Sequence, residues 1–446
     1  MTTSKRRVAR TFVGLGVLLA CSALDTRRAS AVVTAESNRI AGPRARVGPA
    51  GAVFVESFAE LQRAVSDVAG PPEIWLRGKT YGGDLVVKRP VAIHGETGAT
   101  LEGTGTSTVL AIEANDVAFD NVYVRHSGRH STTNDAGIKA TGERIRIADV
   151  RIDDALFGVF FQACHSCAVE RAYVQGAPDA DALRGDAIKL WEANDSVVRG
   201  CVVDHARDVV VWYTPRALVE DNVFRFGRYG THFMFAHDSI ARRNHIEGNV
   251  VGIFVMYSAR LTIENNVLAG SHGAAGFGVG LKESDAVRIH GNWVVGNTTG
   301  VYLDRSPRSS DQPVIFEQNV FALNDVALRL HTGGKGLTFH ANDFRNDGDT
   351  IEVDDADDAL ASDVRGNHFS DYEGYDLDRD GIGDVPFRVN ALSSELADKH
   401  PSLRFFHGTT AMQLVDAIAH AVPVLDGHTL LSDPAPLMQA PEIALP

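Results

Sequence analysis

Two methionines and a histidine are the residues of this chain best suited to chemistry. Met234 and Met256 stand 22 residues apart, and His232 stands two positions before the first of them. Only five Met occur among the 446 residues, Met1 included. Thioether and imidazole donors form a soft ligand set, matched to Cu(I) and poorly matched to Mg²⁺, Ca²⁺ or Zn²⁺. His237 lies just past the same segment and is a secondary candidate. The bland alternative is an apolar docking patch in which Met serves as adaptable filler. Elsewhere, Cys164-His-Ser-Cys167 is a C-x-x-C that in an exported chain fits a tight disulfide, a soft-metal site or two free thiols. Asp376, Asp378, Asp380 and Asp384 take relative positions 1, 3, 5 and 9 of an EF-hand-like loop. Phe387 stands at the twelfth position, where a bidentate Glu belongs, so a structural Ca²⁺ and a self-capped acidic turn both fit.

For Met234 and Met256 to serve one ion, the chain must return to the same place every 22 residues. The sequence repeats on that scale. Asn222, Asn244, Asn266, Asn292, Asn319, Asn342 and Asn367 share one frame, an apolar residue three positions before and another two positions after, at spacings of 22 to 27. Upstream the frame continues without Asn, at Cys201, Ala172 and Val150. A second strand follows in each unit, often opened by glycine, as at Gly158, Gly230, Gly252, Gly278 and Gly300. Short strands and turns at this period mean a solenoid of stacked coils. No helical pattern intervenes, which excludes leucine-rich and βαβ units. The expected fold is all-β, a parallel β-helix of about ten coils over residues 53–390. Inward Asn side chains then hydrogen-bond along the stack as an amide ladder, and Cys201 in the same column is a small buried residue.

Strand alternation fixes which side chains face outward. Counting from the opening position of the second strand, +1 and +3 hold the apolar core set and +2 and +4 point away from it. The outward set includes Phe160, Trp191, Trp212, His232, Met234, Phe254 and Met256. Adjacent strands lie about 4.8 Å apart, so the two sulfurs can reach one ion. Phe160, Trp191, Trp212 and Phe254 widen the column into an apolar face of the kind that docks a partner. The stack needs closed ends. Ser57-Phe-Ala-Glu60 resembles a capping box, with Phe58, Leu61, Ala64, Val65 and Val68 at helical spacing after it. A second amphipathic helix over Leu403 to Val422 is expected within a helical extension, 391–446.

The charge balance, 57 acidic against 43 basic residues for a net −14, repels phosphate backbones and argues against nucleic acid. Lys5, Arg6, Arg7 and Arg10 precede an apolar run, Phe12 to Ala20, as in an export signal covering residues 1–31. Leu18-Leu19-Ala20-Cys21 resembles a lipobox, which would leave the protein tethered through Cys21; ordinary cleavage near Ala29-Ser30-Ala31 is the alternative. Residues 32–52 read as a linker.

Several stretches resemble the NosD family, periplasmic copper-handling β-helix proteins. They are Asn134-Asp-Ala-Gly-Ile138, Leu156-Phe-Gly158, Arg184-Gly-Asp-Ala-Ile-Lys-Leu-Trp191, Arg228-Tyr-Gly-Thr-His-Phe-Met234 and Met256-Tyr-Ser258. The tail adds Phe369-Ser-Asp-Tyr-Glu-Gly-Tyr-Asp-Leu-Asp-Arg-Asp-Gly-Ile-Gly-Asp384 and Asp433-Pro-Ala-Pro-Leu-Met438, so the likeness runs from about residue 53 to 438. The resemblance implies a right-handed β-helix in the periplasm that takes Cu(I) from a copper chaperone and docks on an ABC-type membrane complex. It further implies hand-over toward the copper site of nitrous oxide reductase. The family's His-x-Met and Met-Tyr-Ser segments fall on His232, Met234 and Met256. The chain departs from the pattern on the next coil, which carries Gly280, Lys282 and Glu283.

The rival reading is a polysaccharide lyase or epimerase, which parallel β-helices commonly host. Lys282, Asp304 and Arg329 on successive coils would supply its acid and base, with Trp191 and Trp212 as sugar platforms. A metal-free interaction module is the third. The carrier reading, without enzymatic activity, accounts for the most residues.

Overall fold

The computed structural model describes residues 41–177, 183–332, 334–354, 362–391, 396, 400–406, 409–421 and 428–446. The export signal and Cys21 lie outside them. Each coil lays three short parallel strands onto three stacked sheets, which form the walls of a solenoid. One coil illustrates the order: Leu218–Glu220 on wall one, Val223–Arg225 on wall two, then Tyr229–Met234 on wall three. Among the described residues the walls contain 14, 13 and 12 strands respectively. The expected all-β parallel β-helix is therefore the architecture, with about thirteen turns and not ten. The uncounted coils are N-terminal. There the inward column runs on from Val150 to Val122 and Ala99, whose carbonyls accept the N–H groups of Arg151 and Tyr123 at 3.2 and 2.9 Å. Neither position carries the Asn that marks the frame further along.

Branched and aromatic side chains at the inward positions make one continuous core from Val55 to Leu431. Most polar groups that enter that core are answered by the next coil; the buried Thr231 hydroxyl is an exception. Along the Asn column each side chain does three things. Asn244, for example, donates from Nδ2 back to Val219 O at 3.0 Å and forward to Asn266 Oδ1 at 2.9 Å. Its own Oδ1 accepts from Asn222 Nδ2 at 2.9 Å. The ladder starts on the Cys201 N–H, which donates to Asn222 Oδ1 at 2.8 Å. It ends on Asp433, whose buried carboxylate accepts from both the N–H and Nδ2 of Asn367 at 2.9 Å. A second ladder, Asn297–Asn324–Asp347, runs beside wall two and likewise ends on a carboxylate. A hydroxyl ladder at another corner links the Ala236, Ser258 and Ser284 N–H groups to Ser258, Ser284 and Ser306 Oγ at 3.0, 3.3 and 3.0 Å.

The ends are closed as expected in kind but not in every residue. Helix α1, Phe58–Ser66, is capped by Ser57 Oγ on the Glu60 N–H at 3.2 Å and buries Leu61 and Val65. Val68 falls beyond the helix and is 92% exposed. At the other end Pro401–Phe406 forms a 3₁₀ turn, and helix α2 covers Thr410–Ala421. The C-terminal segment also supplies a strand, His428–Asp433, antiparallel to Phe387–Ala391. The Phe387 ring stacks on Phe369 at 3.8 Å and so continues the core. Residues 41–49 are held along the outside of the early coils: Gly42 N–H reaches Arg171 O at 2.7 Å, and Thr97 N–H reaches Arg46 O at 2.9 Å. Among the described residues no helix is long and apolar enough to cross a membrane.

Candidate metal centre

Wall three carries the candidate site. Its register pairs Trp191 with Trp212, Trp212 with Met234, and Met234 with Met256. Val210, His232 and Phe254 form the adjoining outward column. Met256 is held at the strand end by Ser258, whose Oγ donates to the Met256 carbonyl at 2.8 Å. His232 Nε2 lies 3.2 Å from Met256 Sδ, with Met234 alongside. Trp212 donates its indole N–H to His232 Nδ1 at 3.2 Å. Aromatic rings enclose the imidazole: Trp212 edge-on at 5.3 Å, Tyr229 at 4.9 Å and Phe254 at 5.9 Å between centroids. His232 is consequently only 6% exposed, while Met234 and Met256 are half-buried. The two methionines are thus more exposed than the histidine beside them.

Burial pushes the His232 imidazole down to about 4, because a charged ring there would lose its hydration. The ring is thus neutral at pH 7, the form that binds metals. The carboxylate that acts on it, Asp208, is itself buried and ion-paired to Arg228. Two thioethers and a neutral imidazole with no free carboxylate suit a soft, singly charged ion better than a hard dication.

The other expected ligands are placed differently. His237 sits past the corner, and its Nδ1 accepts the Ala259 N–H at 3.1 Å, so the turn uses it. Cys164 and Cys167 are joined in a disulfide and buried, so neither offers a thiolate to a metal. Cys201 is free and buried in the Asn column, its thiol pushed up to about 12 by desolvation. Asp376, Asp378 and Asp380 do converge, with one carboxylate oxygen of each within 4.8 Å of the others. They already cap backbone: Asp376 accepts from Arg379 and Gly381, Asp378 from Asp380, and Asp384 from Leu377. Phe387 at the twelfth position is core.

The expected docking face is narrower than alternation alone implies. Phe160 points outward but is 3% exposed, because Phe157, Leu156 and the Lys139 and Lys189 ammoniums fold over it. Trp191, Trp212 and Phe254 stay half-buried. Sequence reasoning missed the corner residues that follow the +4 positions. Tyr213, Phe235 and Tyr257 adopt φ of 50°, 51° and 50° and stack at 5.0 and 5.3 Å. Their signal was legible, since they are the aromatic residues directly after Trp212, Met234 and Met256. Tyr229 was also missed; it precedes Gly230 and stacks on Phe254 at 5.7 Å. Lys282 and Asp304, offered as catalytic groups in the rival reading, pair with each other at 3.2 Å.

Comparison with known proteins gives the geometry a context. A solved structure, the A-module of the mannuronan C-5 epimerase AlgE6 of Azotobacter vinelandii, aligns with a TM-score of 0.53 at 12% identity, over 73% of this chain and 98% of that one. That likeness concerns the fold alone. A Pseudomonas aeruginosa protein described as a probable ABC transporter binding protein NosD is 29% identical over 81% of this chain and 88% of its own length. One from Stutzerimonas stutzeri with the same description is 26% identical over 81% and 85%. Residues 171–374 match the family described as periplasmic copper-binding protein (NosD), a span that contains every strand of the His232–Met256 site. Together these matches support NosD family membership, the resemblance already carried by the sequence motifs.

Proposed function

We propose that this protein is a periplasmic copper carrier that holds Cu(I) as cargo on wall three between Met234, Met256 and His232. The observation that carries the reading is the approach of His232 Nε2 to Met256 Sδ at 3.2 Å, with Met234 in register beside them. Two thioethers and an imidazole stabilise Cu(I) over Cu(II) and give a site weak enough in charge to release its ion. The half-buried sulfurs take the ion first and the imidazole completes the set. Relatives described as ABC transporter binding proteins support association with an ABC-type membrane complex. In this reading a copper chaperone is the donor and the copper site of nitrous oxide reductase the destination, with Trp191, Trp212 and Phe254 on the face presented to partners. The role is that of a binding protein without catalysis. A structural Ca²⁺ on Asp376, Asp378 and Asp380 is compatible with the same protein and plays no part in transfer.

An anaerobic Cu(I) titration against a competing chelator tests the assignment. The wild-type chain should bind one Cu(I), and Met234→Ala with Met256→Ala together should weaken binding at least about 100-fold, near 2.7 kcal/mol. Wild-type affinity in that double variant would refute it.

A further inference from the structure

The hydrogen-bond valence of His232 limits how it can receive an ion. An indole N–H can only donate, so the 3.2 Å bond from Trp212 Nε1 makes His232 Nδ1 an acceptor. A neutral imidazole carries one proton, which therefore sits on Nε2 and points at Met256 Sδ 3.2 Å away. In the metal-free protein neither ring nitrogen has a lone pair to spare. Ligation through Nε2 requires that proton to leave and another to arrive on Nδ1, where it would meet the Trp212 N–H head-on. Ligation through Nδ1 requires the indole to withdraw. Either route breaks the same hydrogen bond.

We propose that Trp212 is a positioning residue that latches His232, and that the Trp212–His232 bond and a loaded site exclude one another. This rests on the copper reading of the site. The exchange is balanced: Nε2 gives one proton to water and Nδ1 takes one from water, with no net proton release and no redox step. Release of the latch reaches the surface directly. The Trp212 ring lies 5.8 Å from Trp191, and Trp191 lies 5.4 Å from Tyr213, so the aromatic face repacks when the ion arrives. Lys189 Nζ stands 5.3 Å from the Trp191 ring and 5.8 Å from the Trp212 ring, and so marks the same movement. A partner docking on that face would distinguish loaded from empty protein without touching the metal.

The test uses the exported chain, ¹⁵N-labelled, and Ag(I) as a closed-shell soft probe. The His232 signals are assigned by their loss in His232→Gln. Metal-free wild type should show a single Nε2–H tautomer, and Trp212→Phe should admit the Nδ1–H form. Trp212→Phe should also bind Ag(I) about 5-fold more tightly, since one competing hydrogen bond is gone. Trp293→Phe, on wall two, should change neither. In wild type the Trp212 indole N–H resonance should move to its unbonded position as Ag(I) saturates the site. A Trp212→Phe variant with unchanged tautomer and affinity overturns the latch, as does a Trp212 N–H that stays bonded at saturation. If Trp212→Phe does not fold, the wild-type indole titration decides alone. Failure of wild type to bind Ag(I) at all would instead overturn the copper reading, while the metal-free tautomer still judges the latch.

Discussion

The inside and the outside of the same coils follow opposite rules. In the interior column every amide of Asn222 to Asn367 meets a partner one coil away, donor to acceptor, down to the Asp433 carboxylate. On the outer face of wall three, at the same 22-residue interval, Met234 and Met256 present thioethers, which are weak acceptors, and the imidazole N–H that faces Met256 is one that a soft ion can replace. The first column consumes its hydrogen-bonding capacity in holding the stack. The second spends little hydrogen-bonding capacity on its sulfurs, which is what a site for a transient soft ion requires. Breaking one column should therefore cost stability without altering chemistry, and breaking the other should do the reverse.

The largest effect is expected inside. Asn292→Ala removes the oxygen that accepts from both the N–H and Nδ2 of Asn266 and takes away the donor that reaches Ile263 O. Leaving two buried donors unsatisfied costs about 3–5 kcal/mol. Urea or thermal unfolding should register that loss, and any folded fraction should bind Cu(I) as wild type does. Loss of copper affinity with intact stability would invert the comparison.

The outer column should respond in the opposite sense. Met256→Leu conserves volume and removes only the sulfur, so stability should stay within about 1 kcal/mol of wild type. Cu(I) affinity should fall about 30-fold, or 2 kcal/mol, in a chelator competition. Equal affinity would show that the side chain serves as apolar filler.

How much of this was legible follows the same division. The Asn frame, the Gly-headed strands and the outward alternation could be read because each is a period-locked pattern repeated on many coils. Coils at Val122 and Ala99 escaped because an apolar residue at the inward turn looks like any other core residue. Phe160 illustrates a second limit. Alternation gives the direction of a side chain, but its exposure depends on whether neighbours such as Phe157 and Lys189 reach over it. Asp433 lies 66 residues beyond Asn367, so no repeat counting could reveal that it closes the ladder. The Trp212–His232 bond depends on rotamers across two coils, which spacing alone does not encode.

The two ladder ends sharpen the comparison further. Asp433 receives four N–H groups, from Gly366, Asn367 backbone and side chain, and Ala435. Asp347 accepts from Asn324 through Oδ1, but its buried Oδ2 has no partner. Desolvation there raises the Asp347 carboxyl to about 7. The folded state holds this proton more tightly than the unfolded chain, so stability is fullest below about pH 4 and falls as pH rises through 7. Asp347→Asn places a donor where each earlier rung has one. The variant should gain on the order of 1–2 kcal/mol at pH 8 and nothing at pH 4. Parallel pH profiles for the two proteins would contradict this account of the ladder end.

The smallest effect concerns the coil where soft donors give way to charge. Lys282 is the register partner of Met256 and pairs with Asp304 at 3.2 Å. While the pair is intact its charges nearly cancel at the metal site. Lys282→Gln leaves the Asp304 carboxylate uncompensated beside a bound cation, so Cu(I) affinity should rise about 2-fold at low salt. Screening at 0.5 M salt should reduce the gain, because the Lys282 position is about a third exposed and counterions can replace its charge beside Asp304. Stability should hardly change, as expected for a surface pair. A salt-independent rise would mean that Lys282 acts on Met256 by packing, and the boundary between the soft and charged coils would then be steric in origin.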